Sequence, residues 1–156
     1  MAEFQDDLLN SITNPNWKDD AIEKKERKAF DEGFKKGFNA QEMALLKFFK
    51  QNVEKATTLA EELNKSFQSL NFPFSNLFLK PSDVRSFEFL FIIEKETYLS
   101  DKRKQVYKVI RSLKKDHNSD EFSFSCMLMP SSGDIKMDKV RSEGYRFQYE
   151  PKSRQA

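Results

Sequence analysis

With a single cysteine, Cys126, the chain cannot close an intrachain disulfide, and a lone thiol fits a reducing compartment. Histidine is equally scarce. His117 sits in the polar stretch Asp116-His117-Asn118-Ser119-Asp120, with no Cys or His companion at metal-ligand spacing. The common zinc sets are therefore excluded, and any histidine-based nucleophile system would have to run through that one residue. There are only 4 glycines, and neither GxxxxGK[ST] nor GxGxxG occurs. Phosphate loops of those kinds need glycines at fixed spacing so that backbone amides can approach the phosphate. They too are excluded. No stretch approaches the ~20 apolar residues with which a helix crosses a bilayer. The longest apolar run, Phe89-Leu90-Phe91-Ile92-Ile93, is strand-sized. The opening residues, Met1 to Asp7, lack the basic start and apolar stretch of a secretory signal. The expected location is cytoplasmic, with no membrane partner and no cofactor.

What the chain has is phenylalanine. Sixteen Phe residues in 156 supply the apolar surface that a disordered chain lacks, although 33% of the residues are charged and only 38% hydrophobic. A chain of this length makes one domain, or one domain with an extension. The net charge of +2 is unevenly spread: residues 1–96 hold 14 basic and 17 acidic side chains, and residues 97–156 hold 13 and 8. The C-terminal half can therefore accept an acidic or nucleic-acid partner without requiring one.

Local patterns divide the chain. Phe4, Leu8, Leu9 and Ile12 fit a short amphipathic helix that ends at Asn14-Pro15-Asn16, and Asn16 is placed to cap the next. From Trp17 to about Asn39 the pattern is helical. Phe30, Phe34 and Phe38 recur every four residues, with Gly33 and Gly37 beside them. Two small residues four apart admit another backbone closely; equally, they can mark a bend between two helices. The segment Ala29-Phe30-Asp31-Glu32-Gly33-Phe34-Lys35-Lys36-Gly37-Phe38 resembles the repeated small-xxx-Gly segment of flagellar and type III export stator proteins. That resemblance implies helix dimerisation there. It covers about ten residues, and the C-terminal half does not share that family's pattern.

Between Glu42 and Leu70 the residues Leu46, Phe49, Val53, Ala56, Ala60, Leu63, Phe67 and Leu70 alternate by three and four. This is a heptad seam over more than three heptads. The flanking Lys50, Asn52, Thr57, Leu59, Asn64 and Ser66 lack the complementary charges that specify a coiled-coil partner. The seam fits a free zipper, or a helix packed in a hairpin or against a sheet. Asn71 to Asn76 breaks the helix, and Leu77 to Asp83 reads as a connector with a short extended piece.

Beyond the connector, Phe87, Phe89, Phe91 and Ile93 alternate with Leu90 and Ile92 between them, a strand buried on both sides at its centre. Ser100 can cap a helix from Asp101 to Lys115 with the stripe Val106, Val109, Ile110 and Leu113. Phe122, Phe124, Cys126 and Leu128 mark a second strand, Pro130 to Gly133 a turn, Asp134 to Ser142 a short helix and Tyr145, Phe147, Tyr149 a last strand. Strand, helix, strand predicts a parallel crossover, with the last strand antiparallel to a neighbour. Val109 and Ile110 are expected in the core beside Phe89, Phe91 and Phe124. By its strand phase Cys126 is expected to be a buried, inert thiol. The acids of Ser131-Ser132-Gly133-Asp134 and Asp138 suggest a nucleotidyltransferase pair, but Asp134 is more simply a helix cap.

The expected fold class is α+β: a helical N-terminal arm or hairpin (1–71), then a compact domain (72–156) with a small three- to four-stranded sheet and one covering helix. The expected function is a non-enzymatic protein-binding, regulatory or adaptor role through the helical half. A protein partner or a second copy would meet Phe30, Gly33, Phe34, Gly37, Phe38, Leu46, Phe49 and Val53. The alternative is a nucleic-acid-binding regulator that tracks phosphates weakly with Lys104, Lys108, Arg111 and Lys115, which share one face of the basic helix 101–115. The plainer reading of that face is the solvated outside of a helix covering a sheet.

Overall fold

In a computed structural model of the chain, residues 9, 12, 16–18, 39–131 and 137–150 are described. The elements are β1 (Trp17–Lys18), α1 (Ala40–Ser69), β2 (Asn76–Pro81), β3 (Ser86–Glu94), α2 (Lys95–Tyr98), α3 (Lys102–His117), β4 (Ser123–Ser131), α4 (Met137–Ser142) and β5 (Phe147–Tyr149). One mixed sheet takes all five strands in the order β1-β5-β2-β3-β4. β2 and β3 pair antiparallel, with Leu79 opposite Phe89, and β3 and β4 pair parallel, with Phe89 opposite Cys126. β5 lies antiparallel to β2 and β1 antiparallel to β5. The class is α+β, as the sequence implies, and no described helix is long and apolar enough to cross a membrane.

The seam of α1 makes this fold. Leu46, Phe49, Val53, Ala56, Ala60, Leu63 and Phe67 are all buried in the cluster that holds Phe87, Phe89 and Phe91 of β3. Phe49 stacks on Phe87 with ring centroids 6.1 Å apart, and Phe67 lies 4.6 Å from Phe91. The helix therefore runs along β3 in the same sense. Both its ends are fixed chemically. Asn39 and Glu42 form a reciprocal capping box, in which the Glu42 amide donates to Asn39 Oδ1 at 2.8 Å. At the other end Asn71 takes the left-handed conformation (φ 54°), Phe72 N–H donates to Phe67 O and Asn71 N–H donates to Gln68 O. This is a Schellman stop, and its usual apolar contact is the edge-to-face pair Phe67–Phe72.

α3 lies beside α1 on the same face, with Val106 and Ile110 in the shared cluster. On the opposite face Phe78, Leu90 and Ile92 form a smaller cluster with Val140 of α4 and Tyr145. Buried Asn52 of α1 ties three elements together. Its Nδ2 donates to Val84 O in the β2–β3 turn at 2.8 Å and to Glu121 O before β4 at 3.0 Å.

Several expectations are corrected. The sheet has five strands, and its helical cover includes α1 as well as α3, so helix is not confined to an N-terminal arm. The expected connector is β2, paired along its length with β3. Trp17 opens a strand where a helix was expected: its Nε1 donates to Thr57 Oγ1 at 2.8 Å, and its ring packs 5.3 Å from Tyr149. Asn16 stands directly before β1, and its Nδ2 donates to Glu150 O at 3.1 Å; the helix it was expected to cap lies outside the described residues. Ser100 does not cap α3 either, since its hydroxyl donates to Thr97 O and Asp101 holds the cap position without a side-chain bond. Val109 is half-buried rather than core, and Pro130 lies inside β4. The expected helix over 19–38 and the turn at 132–136 lie outside the described residues.

Because Phe91 is fully buried between Phe67 and Phe74, Phe91→Ala should cost about 3–5 kcal/mol. Lys108→Ala, on the exposed side of α3, should change stability by no more than ~0.5 kcal/mol. Chemical denaturation of the two variants measures both, and equal damage would mean that α3 is turned the other way.

Candidate nucleic-acid interface

α3 has a buried and a free side. Val106 and Ile110 enter the core and Leu113 is half-buried, so the opposite side faces solvent. On it stand Lys104, Lys108, Arg111 and Lys115, spaced so that each is one helical turn from the next. All four are exposed, and no carboxylate lies within ion-pair distance of any of them among the described residues. Tyr107, 37% exposed, stands three residues after Lys104 and four before Arg111, and so borders the row. The guanidinium of Arg103 lies 4.5 Å from the centre of the Tyr98 ring, and burial together with neighbouring Tyr98 raises the Tyr107 phenol. Lys114, Lys115 and His117 occupy the last turn, where positive charge complements the helix dipole. His117 Nε2 lies 3.7 Å from Glu62 of α1, both side chains well exposed, which is worth little.

The remaining expected sites divide plainly. Leu46, Phe49 and Val53, expected at a partner interface, lie in the core against the sheet. Phe30, Gly33, Phe34, Gly37 and Phe38 lie outside the described residues. Lys104, Lys108, Arg111 and Lys115 are brought together as expected. An open depression of about 560 Å³ follows the first turns of α1 past Met43, Lys47, Lys50 and Glu54. All its described lining belongs to that one helix, and among the described residues no second element aims a group into it. Among the described residues no three His, Cys, Asp or Glu side chains gather as a metal site. Asp138 is exposed on α4, and Asp134 is outside the described residues.

Cys126 is half-buried on β4. Burial pushes its thiol up to about 12 from 9.0, and the charge of Lys114 offsets only part of that. A group held as the neutral thiol is a poor nucleophile. Sequence reasoning missed the two asparagines that organise the loops around α3. Asn52 hides beside an apolar seam, and Asn118, just past α3, accepts from Phe124 N–H at 3.0 Å. Asn52 shows only as an amide beside the apolar seam, and Asn118 only as one of several polar residues after the helix. Compared with protein-family models, curated proteins and solved structures, the chain matches none of them.

At pH 8 the native Cys126 thiol should react with an uncharged alkylating reagent roughly two to three orders of magnitude more slowly than in the unfolded chain, because only the thiolate reacts. As pH rises the unfolded thiol loses its proton first, so its contribution to stability is intact below about pH 9 and declines toward pH 12. The phenols of Tyr107, Tyr145 and Tyr149, raised chiefly by burial, act in the same direction. Native and unfolded labelling rates that agree would contradict this.

Proposed function

We propose that this is a non-enzymatic binding protein of a regulatory kind, whose partner is the phosphate backbone of nucleic acid held along α3. The reading is carried by one observation: four exposed cations stand in a row along one helix face, and among the described residues no carboxylate neutralises any of them. An outer helix face that serves only solubility carries both signs of charge, with acids and bases neutralising each other at turn spacing. Here residues 102–115 contain seven Lys or Arg and no acid. The row is about three turns long, the length over which successive phosphates of one strand can be followed. Tyr107 beside it offers a ring face on which an unpaired base can stack.

Nothing on this face reads base edges, so binding is electrostatic and indifferent to sequence. Four contacts to duplex DNA imply a plot of log affinity against log salt with a slope of about −3 to −4. Lys108→Glu should flatten that slope by about one, equally for all sequences. Titration of labelled oligonucleotides at several salt concentrations measures both. Two results would count against the proposal: no binding at high micromolar protein in low salt, or nanomolar, sequence-selective binding at physiological salt.

A further inference from the structure

β4 closes one side of the sheet, and among the described residues no strand pairs with its outer side. The Ser123 amide donates to Arg85 O at 2.7 Å, toward β3. Backbone groups alternate sides along a strand, so those of Ser123, Ser125, Met127 and Met129 face β3 and those of Phe124, Cys126, Leu128 and Pro130 face outward. One of the four outward positions is already closed, and a second lacks a donor. Asn118 accepts from Phe124 N–H at 3.0 Å and its own amide reaches Phe124 O at 3.5 Å, so its side chain stands in for a neighbouring strand. Pro130 has no N–H to offer. Cys126 and Leu128 are left as an open window, and Phe124 and Pro130 each lie three residues from Met127.

That symmetry selects the occupant. In a strand pair related by a two-fold axis at Met127, Cys126 meets Leu128 of the second copy and Leu128 meets its Cys126, each pair exchanging two hydrogen bonds. Phe124 then falls opposite Pro130, where Asn118 on one copy and the missing N–H on the other end the ladder, so pairing is confined to the Cys126–Leu128 window. A longer foreign strand would instead set its own donors and acceptors against Asn118 and Pro130. Side chains agree with this arrangement. Met127 is 55% exposed, and at the axis the two methionines face each other across a non-hydrogen-bonded pair. No charged residue occurs between Glu121 and Asp134, although exposed edges are normally guarded by one. We propose that β4 is a self-association edge that joins two copies of this chain, antiparallel about Met127, into one continuous sheet. Lys114 of α3 is near enough to influence the Cys126 thiol, so the measurement belongs at about 0.15 M salt, where charges more than about 8 Å apart are largely screened.

The test uses the full chain with Cys126→Ala and Met127→Cys. Opposed residues at the axis sit with Cα atoms about 4.5 Å apart, within disulfide reach, so mild oxidation should give covalent dimer at least about ten-fold faster than Lys108→Cys in the same background. Sedimentation of the unaltered chain at high micromolar concentration should show dimer, and Met127→Lys should be monomeric with its helix content and unfolding transition retained. A monomeric unaltered chain overturns the proposal. A dimer that survives Met127→Lys, or equal cross-linking at positions 127 and 108, assigns association to another surface and overturns it as well.

Discussion

A strand that is apolar on both faces has to be covered on both. β3 imposes this condition, because Phe87, Phe89, Phe91 and Ile93 project to one side and Leu90 and Ile92 to the other, all of them buried. The first side requires two helices, and the seam of α1 meets it with Phe49 over Phe87 and Phe67 over Phe91 while α3 fills the flank. The second side is covered by the segment that returns from β4 to β5, carrying α4. The pairings make β3, β4 and β5 run in one direction, so the chain makes two parallel crossovers that step across the sheet in opposite senses. Two such crossovers of one hand must put their helices on opposite faces. α3 and α4 are so placed.

Elements carrying their own periodicity were legible in the sequence. The alternation at Phe87–Ile93, the inward side of α3 at Val106 and Ile110 and the parallel step between β3 and β4 stand where the pattern put them. What covered the seam of α1 was not legible, because a stripe at three- and four-residue spacing reports the width of an apolar face and not its partner. The absence of complementary flanking charges did weigh against a zipper. β1 could not be seen at all, since two residues have no period and Trp17 is placed by a hydrogen bond to Thr57, 40 residues away. β2 was hidden because Leu77, Phe78 and Leu79 are buried on both faces and so show no alternation, while Pro81 signals a break. Pro130 misled in the same way. On an edge strand its missing N–H faces outward, where no neighbour needs it.

The consequences for function follow from which surfaces the core consumes. Packing α1 against β3 removes Leu46, Phe49 and Val53 from any partner interface, so the longest apolar seam in the sequence is structural. α3, the shorter helix, presents an exposed charged face opposite its buried stripe. Its row was readable from spacing alone, whereas its lack of neutralising carboxylates required the fold. The edge of β4 was not readable from sequence, because which backbone groups face outward depends on the pairing with β3 and on the amide of Asn118.

If the need to cover β3 holds the molecule together, α1 cannot come away while the sheet survives. Native-state hydrogen exchange reports this directly, since elements that open together exchange with a common free energy. The amides of α1 between Phe49 and Phe67 should exchange with the same free energy, and the same denaturant dependence, as those of Phe89 and Phe91 in β3. If the α1 amides instead opened at a much lower free energy than a sheet that stayed protected, α1 would be a detachable arm. Its seam would then be free for a partner, and the covering of β3 could not be what holds the fold together.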